Sequence, residues 1–190
     1  MGVYTKVGDK GRTAFFGCGM IQKDDPRIEA LGAVDELNSV IGLTLSMVQD
    51  KELQDVLTKI QHDLFQVGAD LAGSALEKKA LPRITAAHIQ EVEQAIDRIE
   101  ERIGVPTKFI LPGGTQASAL LHLCRATTRR SERELVKAKG VIEINSDLMI
   151  YVNRLSDFFF MLARQANNEK DVKDQQPIYK YFDGKKGGLK

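Results

Sequence analysis

DPRIEALGAVDELNSVIGLTLSMV, residues 25–48, is the stretch that decides the fold. Asp25 followed by Pro26 is typical of a helix start, because aspartate caps free N–H groups and proline needs no hydrogen bond in the first turn. Apolar side chains then recur at steps of three and four residues: Ala30, Val34, Leu37, Ile41, Leu45 and Val48. This periodicity predicts one amphipathic helix that ends near residue 48.

The same periodicity recurs four more times along the chain. Caps, glycines and prolines bound these predicted helices at Asp50 to Gly73, Thr85 to Gly104, about 115 to 138, and Asn145 onward. The five stripes together cover far more of the chain than the helical third of an average domain. The sequence therefore predicts an all-α protein, a five-helix bundle.

The length of 190 residues favours a single domain with three parts. We expect a 1–24 N-terminal loop segment, a 25–168 five-helix bundle and a 169–190 tail whose glycines and lysines predict mobility. Around residues 8–11, GDKG is compatible with a tight hairpin turn or with a weak anion-binding loop. From spacing alone we predict an ordinary surface hairpin there, with the anion-binding loop as the alternative.

Composition excludes several classes of protein. The 27 basic and 26 acidic side chains nearly cancel, so no global field would draw the chain onto a nucleic acid. Cys18 and Cys124 lie far apart and form no metal or redox motif, which favours a reducing compartment. No apolar run is long enough for a membrane span. We expect a cytoplasmic protein that binds neither nucleic acid nor membrane.

RATTRRSER, residues 125–133, concentrates four arginines on the fourth predicted helix. At 100° per residue, Arg125 and Arg129 lie about 40° apart on one face, whereas Arg130 points elsewhere. Since Leu121 and Val136 border this face, we expect its arginines to be partly shielded from water. Shielded guanidinium groups need carboxylate or phosphate partners.

Polar side chains on two other predicted helices could complete a site. Asp35 on the first helix, and Asn153 and Arg164 on the fifth, lie opposite the apolar stripes and could converge with the arginines. None of the three histidines has a glutamate three residues before it, so no ferritin-like metal site is predicted. No Ser/His/Asp arrangement stands out either. Such a site would work by positioning and charge stabilisation.

Five sequence blocks, in a fixed order, support a family resemblance. They are YTKVGDKGRT (4–13), KDDPRIEALGAVDELNSVIG (23–42), KFILPGGT (108–115), RATTRRSER (125–133) and YVNRLSDFFFMLAR (151–164). Together they closely resemble the PduO-type ATP:cob(I)alamin adenosyltransferases. The resemblance implies a five-helix bundle that forms a homotrimer with interfacial active sites. It also implies transfer of the 5′-deoxyadenosyl group of ATP to cobalt(I) of cobalamin, with Mg²⁺ assisting and triphosphate released.

The resemblance further implies roles for individual residues. ATP-binding positions are Thr5, Lys6, Val7, Gly8, Thr13, Ala14, Lys23, Arg129, Arg130, Ser131, Glu132, Arg133 and Asn153. Arg125 and Asp35 match a pair that forms a salt bridge across the subunit interface beside the corrinoid. Phe109 matches an aromatic residue on the lower face of the corrin. That residue displaces the axial base, so that cobalt(II) becomes four-coordinate and easier to reduce.

Residues 18–21 depart from the family pattern. Family members often carry an Arg-Val pair there, so a cation near the phosphates is absent from that stretch of this chain. The resemblance also implies transient partners, a flavin-type reductase and an enzyme that uses adenosylcobalamin. Two other classes remain to be separated from the enzyme: a helical module that delivers or senses ATP or a corrinoid without turnover, and a purely structural trimeric scaffold.

Overall fold

The computed structural model describes residues 2–16, 18–73 and 81–178, so the expected mobility of the glycine- and lysine-rich end falls outside the described part. Within it, five helices follow a small antiparallel sheet. The elements are β1 (Arg12–Phe15), β2 (Gly19–Gln22), α1 (Pro26–Met47), α2 (Lys51–Gly73), α3 (Ala86–Ile103), α4 (Gln116–Ala138) and α5 (Ser146–Asn168). The predicted five-helix bundle is confirmed.

The helices begin where the sequence predicts. Side chains of four caps accept a backbone N–H: Asp25 from Arg27 at 3.0 Å, Asp50 from Leu53 at 2.7 Å, Thr115 from Ser118 at 3.1 Å, and Asn145 from Asp147 at 3.1 Å. Each bond satisfies one of the N–H groups that a helix start leaves unpaired. Local sequence therefore predicts the helix starts, and tertiary bonds support two of these caps, since the Thr115 N–H donates to Asn167 and the Asn145 amide donates to Asp70.

The bundle core lies between α1, α4 and α5. Helix α4 packs against both α5 and α1, while α3 packs on α5 and α2 on α1. Leu37 and Ile41 of α1 meet Leu121 of α4 and Phe159 of α5 in the buried core. Each such side chain contributes roughly 1.5–3 kcal/mol when it leaves water, so the apolar stripes hold the helices together. Helix α4 therefore lies at the centre of the bundle, between α1 and α5.

The N-terminal hairpin turns at another place than predicted. The turn lies between β1 and β2, where the Cys18 N–H donates to the Phe15 carbonyl at 3.1 Å, and not at residues 8–11. Gly19 follows it at φ +73°, a left-handed conformation that glycine adopts freely. Residues 8–11 form a separate turn that is tied to β2 through the Lys23 N–H and the Gly11 carbonyl, 2.9 Å apart. The prediction was wrong because both segments carry turn-forming glycines.

The double glycine before α4 is explained by one side chain of α5. Asn167 is buried, accepts the Thr115 N–H at 2.9 Å and donates to the Gly113 carbonyl at 3.0 Å. Gly114 sits directly on this amide at φ +104°, and a Cβ there would lie 2.3 Å from Asn167 Oδ1. Only glycine fits this contact, which joins the end of the 104–115 loop to the bundle.

Candidate active site

A cavity of about 490 Å³ opens between the 104–115 loop and the helices α4 and α5. Phe109 from the loop, His122 and Arg125 from α4, and Phe160 from α5 are part of its lining. Phe109 is 82% exposed although it is a large apolar residue. A cavity that combines two aromatic side chains with polar and charged groups suits a large ligand with apolar faces and polar edges. The structure thus brings two of the predicted site residues, Phe109 and Arg125, to one cavity.

His122 is a residue of this cavity that sequence reasoning missed. It is 4% exposed, and neither ring nitrogen has a hydrogen-bond partner among the described residues. Its ring lies 6.1 Å from that of Phe160, centroid to centroid. The signal was its spacing: three residues before Arg125, it shares that residue's side of α4.

In this cavity the His122 imidazole is neutral, and the positive charge of Arg125 is only partly compensated. Burial, and then the charge of Arg125, lowers the pKa of the His122 imidazole below its ordinary 6.5, against a smaller opposing effect of Asp174. Burial, and then the charge of Arg129, lowers the pKa of Arg125. Arg125 Nε also lacks a hydrogen-bond partner among the described residues. The cavity therefore offers hydrogen-bonding groups that the described fold does not use.

The loop that carries Phe109 is held by the segment that follows α5. Arg164 bonds to Asp174 at 2.9 Å and to the Gly104 carbonyl at 2.6 Å, and the Leu111 N–H donates to the Gln175 carbonyl at 2.7 Å. Arg164 was expected to converge on the site, but it is committed to these structural bonds. Its role is to attach the 104–115 loop to the bundle.

We expect Arg164→Ala to lower the free energy of unfolding by about 2 kcal/mol, since it removes two charge-assisted hydrogen bonds of a side chain that is 10% exposed. Denaturant unfolding followed by circular dichroism measures this. Arg102→Ala is the matched control, because its half-exposed pair with Glu169 is 3.9 Å long and should contribute less than about 0.5 kcal/mol. Equal losses in the two variants would contradict the assignment.

His122 is expected to reduce stability in mild acid. Its pKa is lower in the folded than in the unfolded chain, so the unfolded chain binds more protons as the pH falls through 6.5. Arg125 and Lys108 line the same cavity and add positive charge, whereas Asp174 opposes them. The free energy of unfolding should therefore fall more between about pH 7.5 and 5.5 in the wild type than in His122→Gln. Parallel curves for the two proteins would refute this.

The arginines of α4 divide into free and paired groups. Arg125 is half-buried, as expected, but Arg129 and Arg133 are exposed. The expected shielding of Arg129 was wrong because Val136, which was to border it, is itself 57% exposed. Neither Arg129 nor Arg133 forms a salt bridge within the described part of the chain. We call Arg125, Arg129 and Arg133, spaced four residues apart, the arginine face.

Other residues of the 125–133 segment are engaged in contacts within the fold. Arg130 forms an ion pair with Glu36 of α1. The buried Ser131 hydroxyl lies 2.7 Å from the Ala33 carbonyl oxygen and so ties α4 to α1. Glu132 accepts a hydrogen bond from the Asn153 side chain of α5 at 2.9 Å. Four of the ATP-binding assignments therefore fall on residues that already join helices, and their roles toward ATP stay predictions.

The N-terminal segment brings Gly8 and Lys23 together. A Cβ on Gly8 would lie 3.2 Å from the Lys23 ammonium nitrogen, so this charge sits directly beside the turn. Lys6 adopts φ +58°, which is unusual for a residue with a side chain, and its ammonium lies 5.9 Å from the Tyr4 ring centroid. Thr5 and Val7 are exposed on either side of it. These features expose backbone and lysine charge to a ligand.

An arginine from α1 lies next to the stretch that departs from the family pattern. Arg27 Nη1 lies 3.4 Å from Cys18 Sγ, and the same guanidinium pairs with Asp25 at 2.7 Å. The hydrogen bond from the Arg27 side chain is the main cause that lowers the pKa of Asp25 to about 2. Arg27 thus lies beside this stretch, but its charge is paired with Asp25 and does not replace the positive charge absent from residues 18–21.

A second cavity, of about 530 Å³, lies between the hairpin, α1 and α2. Thr13, Ala14, Asp35 and Asn38 are among the residues that line it. Asp35 is exposed, and its expected partner Arg125 lines the other cavity. Within one chain the two residues therefore do not come together. The sequence predicted that polar groups of three helices could converge on one site. Within a single chain they do not converge.

The described part of the chain holds neither a cluster of metal-ligating side chains nor a helix that could span a membrane. Across residues 2–16, 18–73 and 81–178, no three His, Cys, Asp or Glu side chains cluster as metal ligands would. Every described helix is too short or too polar to span a bilayer.

Known proteins resemble this chain along almost its whole length. A family model described as cobalamin adenosyltransferase matches residues 3–166. A corrinoid adenosyltransferase of Bacillus subtilis is 41% identical over 92% of this chain and 91% of its own. One from Citrobacter freundii is 41% identical over 90% of this chain and 97% of its own.

Solved structures agree with the sequence comparisons. A variant of the PduO-type ATP:corrinoid adenosyltransferase from Lactobacillus reuteri, complexed with cobalamin and ATP, superposes with a TM-score of 0.88 at 39% identity. The match covers 94% of this chain and 97% of that one. Sequence and fold lead to the same conclusion, and this chain belongs to the cobalamin adenosyltransferase family.

Proposed function

We propose that this protein is an ATP:corrinoid adenosyltransferase that moves the 5′-deoxyadenosyl group of ATP onto cobalt(I) of cobalamin. Cobalt(I) supplies the electron pair, a Co–C5′ bond forms, the C5′–O bond of ATP breaks, and triphosphate leaves with that oxygen. The products are adenosylcobalamin and triphosphate. Cobalt(I) is itself a strong nucleophile, so the chain needs no general base and acts by positioning and charge stabilisation.

The observation that carries the proposal is the arginine face beside the Phe109 cavity. One guanidinium group can donate two parallel hydrogen bonds to the oxygens of a phosphate. Arg129 and Arg133 are exposed and have no carboxylate partner in the described part of the chain. The adjacent cavity has the aromatic walls that the flat corrin ring needs. The cations for the leaving triphosphate and the cavity for the acceptor thus lie side by side, since Arg125 belongs to the arginine face and also lines the cavity.

The chain also fits the magnesium ion that the family implies. Mg²⁺ binds mainly through substrate phosphates and water and needs few protein carboxylates, which agrees with the lack of a three-ligand cluster among the described residues. Glu132, next to the arginine face, is the carboxylate that could hold it together with ATP. Bound there, the ion neutralises charge on the departing triphosphate. Lys6 and Lys23 would add positive charge from the N-terminal segment.

We further propose a homotrimer whose active sites lie between subunits. Asp35 and Arg125 line different cavities of the same chain, and Arg125 Nε is buried without a partner in the described fold. A buried guanidinium is stabilised when a carboxylate meets it, and Asp35 of a neighbouring copy could do so. The cavity with Phe109 and the cavity with Asp35 would then close on each other.

Co-expression tests this arrangement directly. Asp35→Ala and Arg125→Ala trimers should each be impaired, whereas mixed trimers regain activity because some interfaces combine an intact Asp35 with an intact Arg125. A chain that carries both substitutions, mixed with wild type, is the control. Absence of complementation, or a monomer by light scattering, would reject the interfacial site.

The activity itself is tested by mixing the protein anaerobically with reduced cobalamin and MgATP. The visible spectrum should change to that of adenosylcobalamin while triphosphate is released. Binding of ATP and cobalamin without triphosphate would instead identify a delivery or sensor module. For the enzyme we propose a cytoplasmic location, with a flavin-type reductase that supplies electrons and an adenosylcobalamin-dependent enzyme that takes the product as transient partners.

A further inference from the structure

We propose that His122 positions the corrinoid: its imidazole forms a hydrogen bond with a primary amide on the rim of the corrin ring inside the Phe109 cavity. This inference rests on the proposed function. It adds to the Phe109 cavity a polar contact that selects a chemical group on the substrate.

The imidazole of His122 is a buried polar group. The residue is 4% exposed, and both ring nitrogens lack a hydrogen-bond partner among the described residues. Buried polar groups in native proteins are nearly always hydrogen-bonded, and those that are not call for an explanation. A ligand that enters the cavity lined by this residue supplies one.

The charge of the His122 ring determines which groups it can bind. Burial and the neighbouring Arg125 lower the pKa of His122, so the ring is neutral at neutral pH. A neutral imidazole carries one N–H donor and one bare nitrogen acceptor. A primary amide offers a carbonyl oxygen and an NH₂ group, so it can pair with either nitrogen, and corrin rings carry primary amides around their rim.

The arrangement of the cavity wall also favours contact between His122 and the rim of a bound corrin ring. Phe109 and Phe160 offer aromatic surfaces for the plane of the corrin ring. The ring centroids of His122 and Phe160 lie 6.1 Å apart. Both ring nitrogens expose almost no surface. The hydrogen bond between the imidazole and the corrin amide therefore forms only when the loop that carries the exposed Phe109 adjusts around the ligand. His122 would therefore contact the corrinoid after it has bound and would not affect its first encounter with the protein.

Kinetics separate this role from a structural one. His122→Phe should raise KM for the corrinoid about 10-fold, the loss expected for one hydrogen bond, with kcat and KM for ATP changed less than about 2-fold. His122→Gln, which keeps a donor and an acceptor, should recover most of the loss. His62→Phe, at an exposed histidine of α2, is the matched control. Unchanged corrinoid KM in His122→Phe, or no recovery with glutamine, overturns the proposal.

A measurement on the wild-type chain keeps the proposal testable if a variant fails to fold. The chain has three histidines, so the ring Cε1–H signal of His122 can be followed by proton NMR while diamagnetic adenosylcobalamin is added. We expect this signal to shift, and the signal of the exposed His62 to stay. Corrinoid binding seen by absorbance with an unmoved His122 signal overturns the inference alone. Binding and a shifted signal without adenosyl transfer would reject the enzymatic function but keep the inference, and no binding at all rejects both.

Discussion

Phe109→Ala is expected to slow adenosylation that starts from cobalt(II) about 100-fold, because an aromatic contact of roughly 2–3 kcal/mol with the corrin face is lost. The family resemblance implies that this ring displaces the lower axial base and makes cobalt(II) easier to reduce, and we propose that role for it here. Cobalt(I) has already passed that step, so the reaction from free cobalt(I) should lose less than about 5-fold. Two parallel assays, one from cobalt(II) with a reductant and one from preformed cobalt(I), measure the difference.

The structure makes this variant interpretable. Phe109 is 82% exposed, so its truncation removes little from the core and should leave the melting temperature nearly unchanged. Phe109→Leu keeps an apolar side chain of smaller size and should show an intermediate loss from cobalt(II). Equal losses in both assays would show that the ring binds corrinoid without a part in reduction.

Arg129→Ala should lower kcat/KM for ATP about 100-fold, since charge-assisted hydrogen bonds to phosphate contribute about 1.5–3 kcal/mol each. The side chain is exposed and forms no salt bridge in the described part of the chain, so its charge is available to a ligand. Since the substitution breaks no such pair, stability should hold. Initial rates at varied MgATP, with corrinoid saturating, give the measurement.

Two further variants sharpen the test of Arg129. Arg129→Lys keeps the charge but loses the paired donors, so it should fall between the wild type and alanine. Arg98→Ala removes an equally exposed arginine from α3, away from the arginine face, and should leave the kinetics unaltered. An Arg129→Ala protein as active as Arg98→Ala would remove Arg129 from the ATP site.

Most of the bundle could be predicted because helix formation is local. Asp25, Asp50, Thr115 and Asn145 cap their helices through bonds that span two or three residues. The apolar side chains of α1 are buried together because their spacing matches the helical period and so places them on one face of the helix. Such features depend on neighbours in the chain, so a single sequence contains them.

Other features depend on residues that are distant in sequence. Asn167 bonds to Thr115 at 2.9 Å across 52 positions, and Arg27 reaches Cys18 from another element. The hairpin was misplaced because residues 8–11 and the turn before Gly19 have similar turn chemistry. Only the hydrogen bonds between β1 and β2 select one of them. Helical spacing showed that Arg130 points away from the arginine face, but its pairing with Glu36 needed the position of α1.

The sequence by itself determined the five helices, their caps and the family, because these follow from short-range periodicity and from ordered motifs. The tertiary structure decided which polar groups are free. It committed Arg164 and Ser131 to contacts within the fold, left Arg129 exposed, and placed His122 beside Phe109 with no hydrogen-bond partner among the described residues. The physical reason is that a side chain's availability depends on what packs against it, and for these residues the neighbours come from distant parts of the chain.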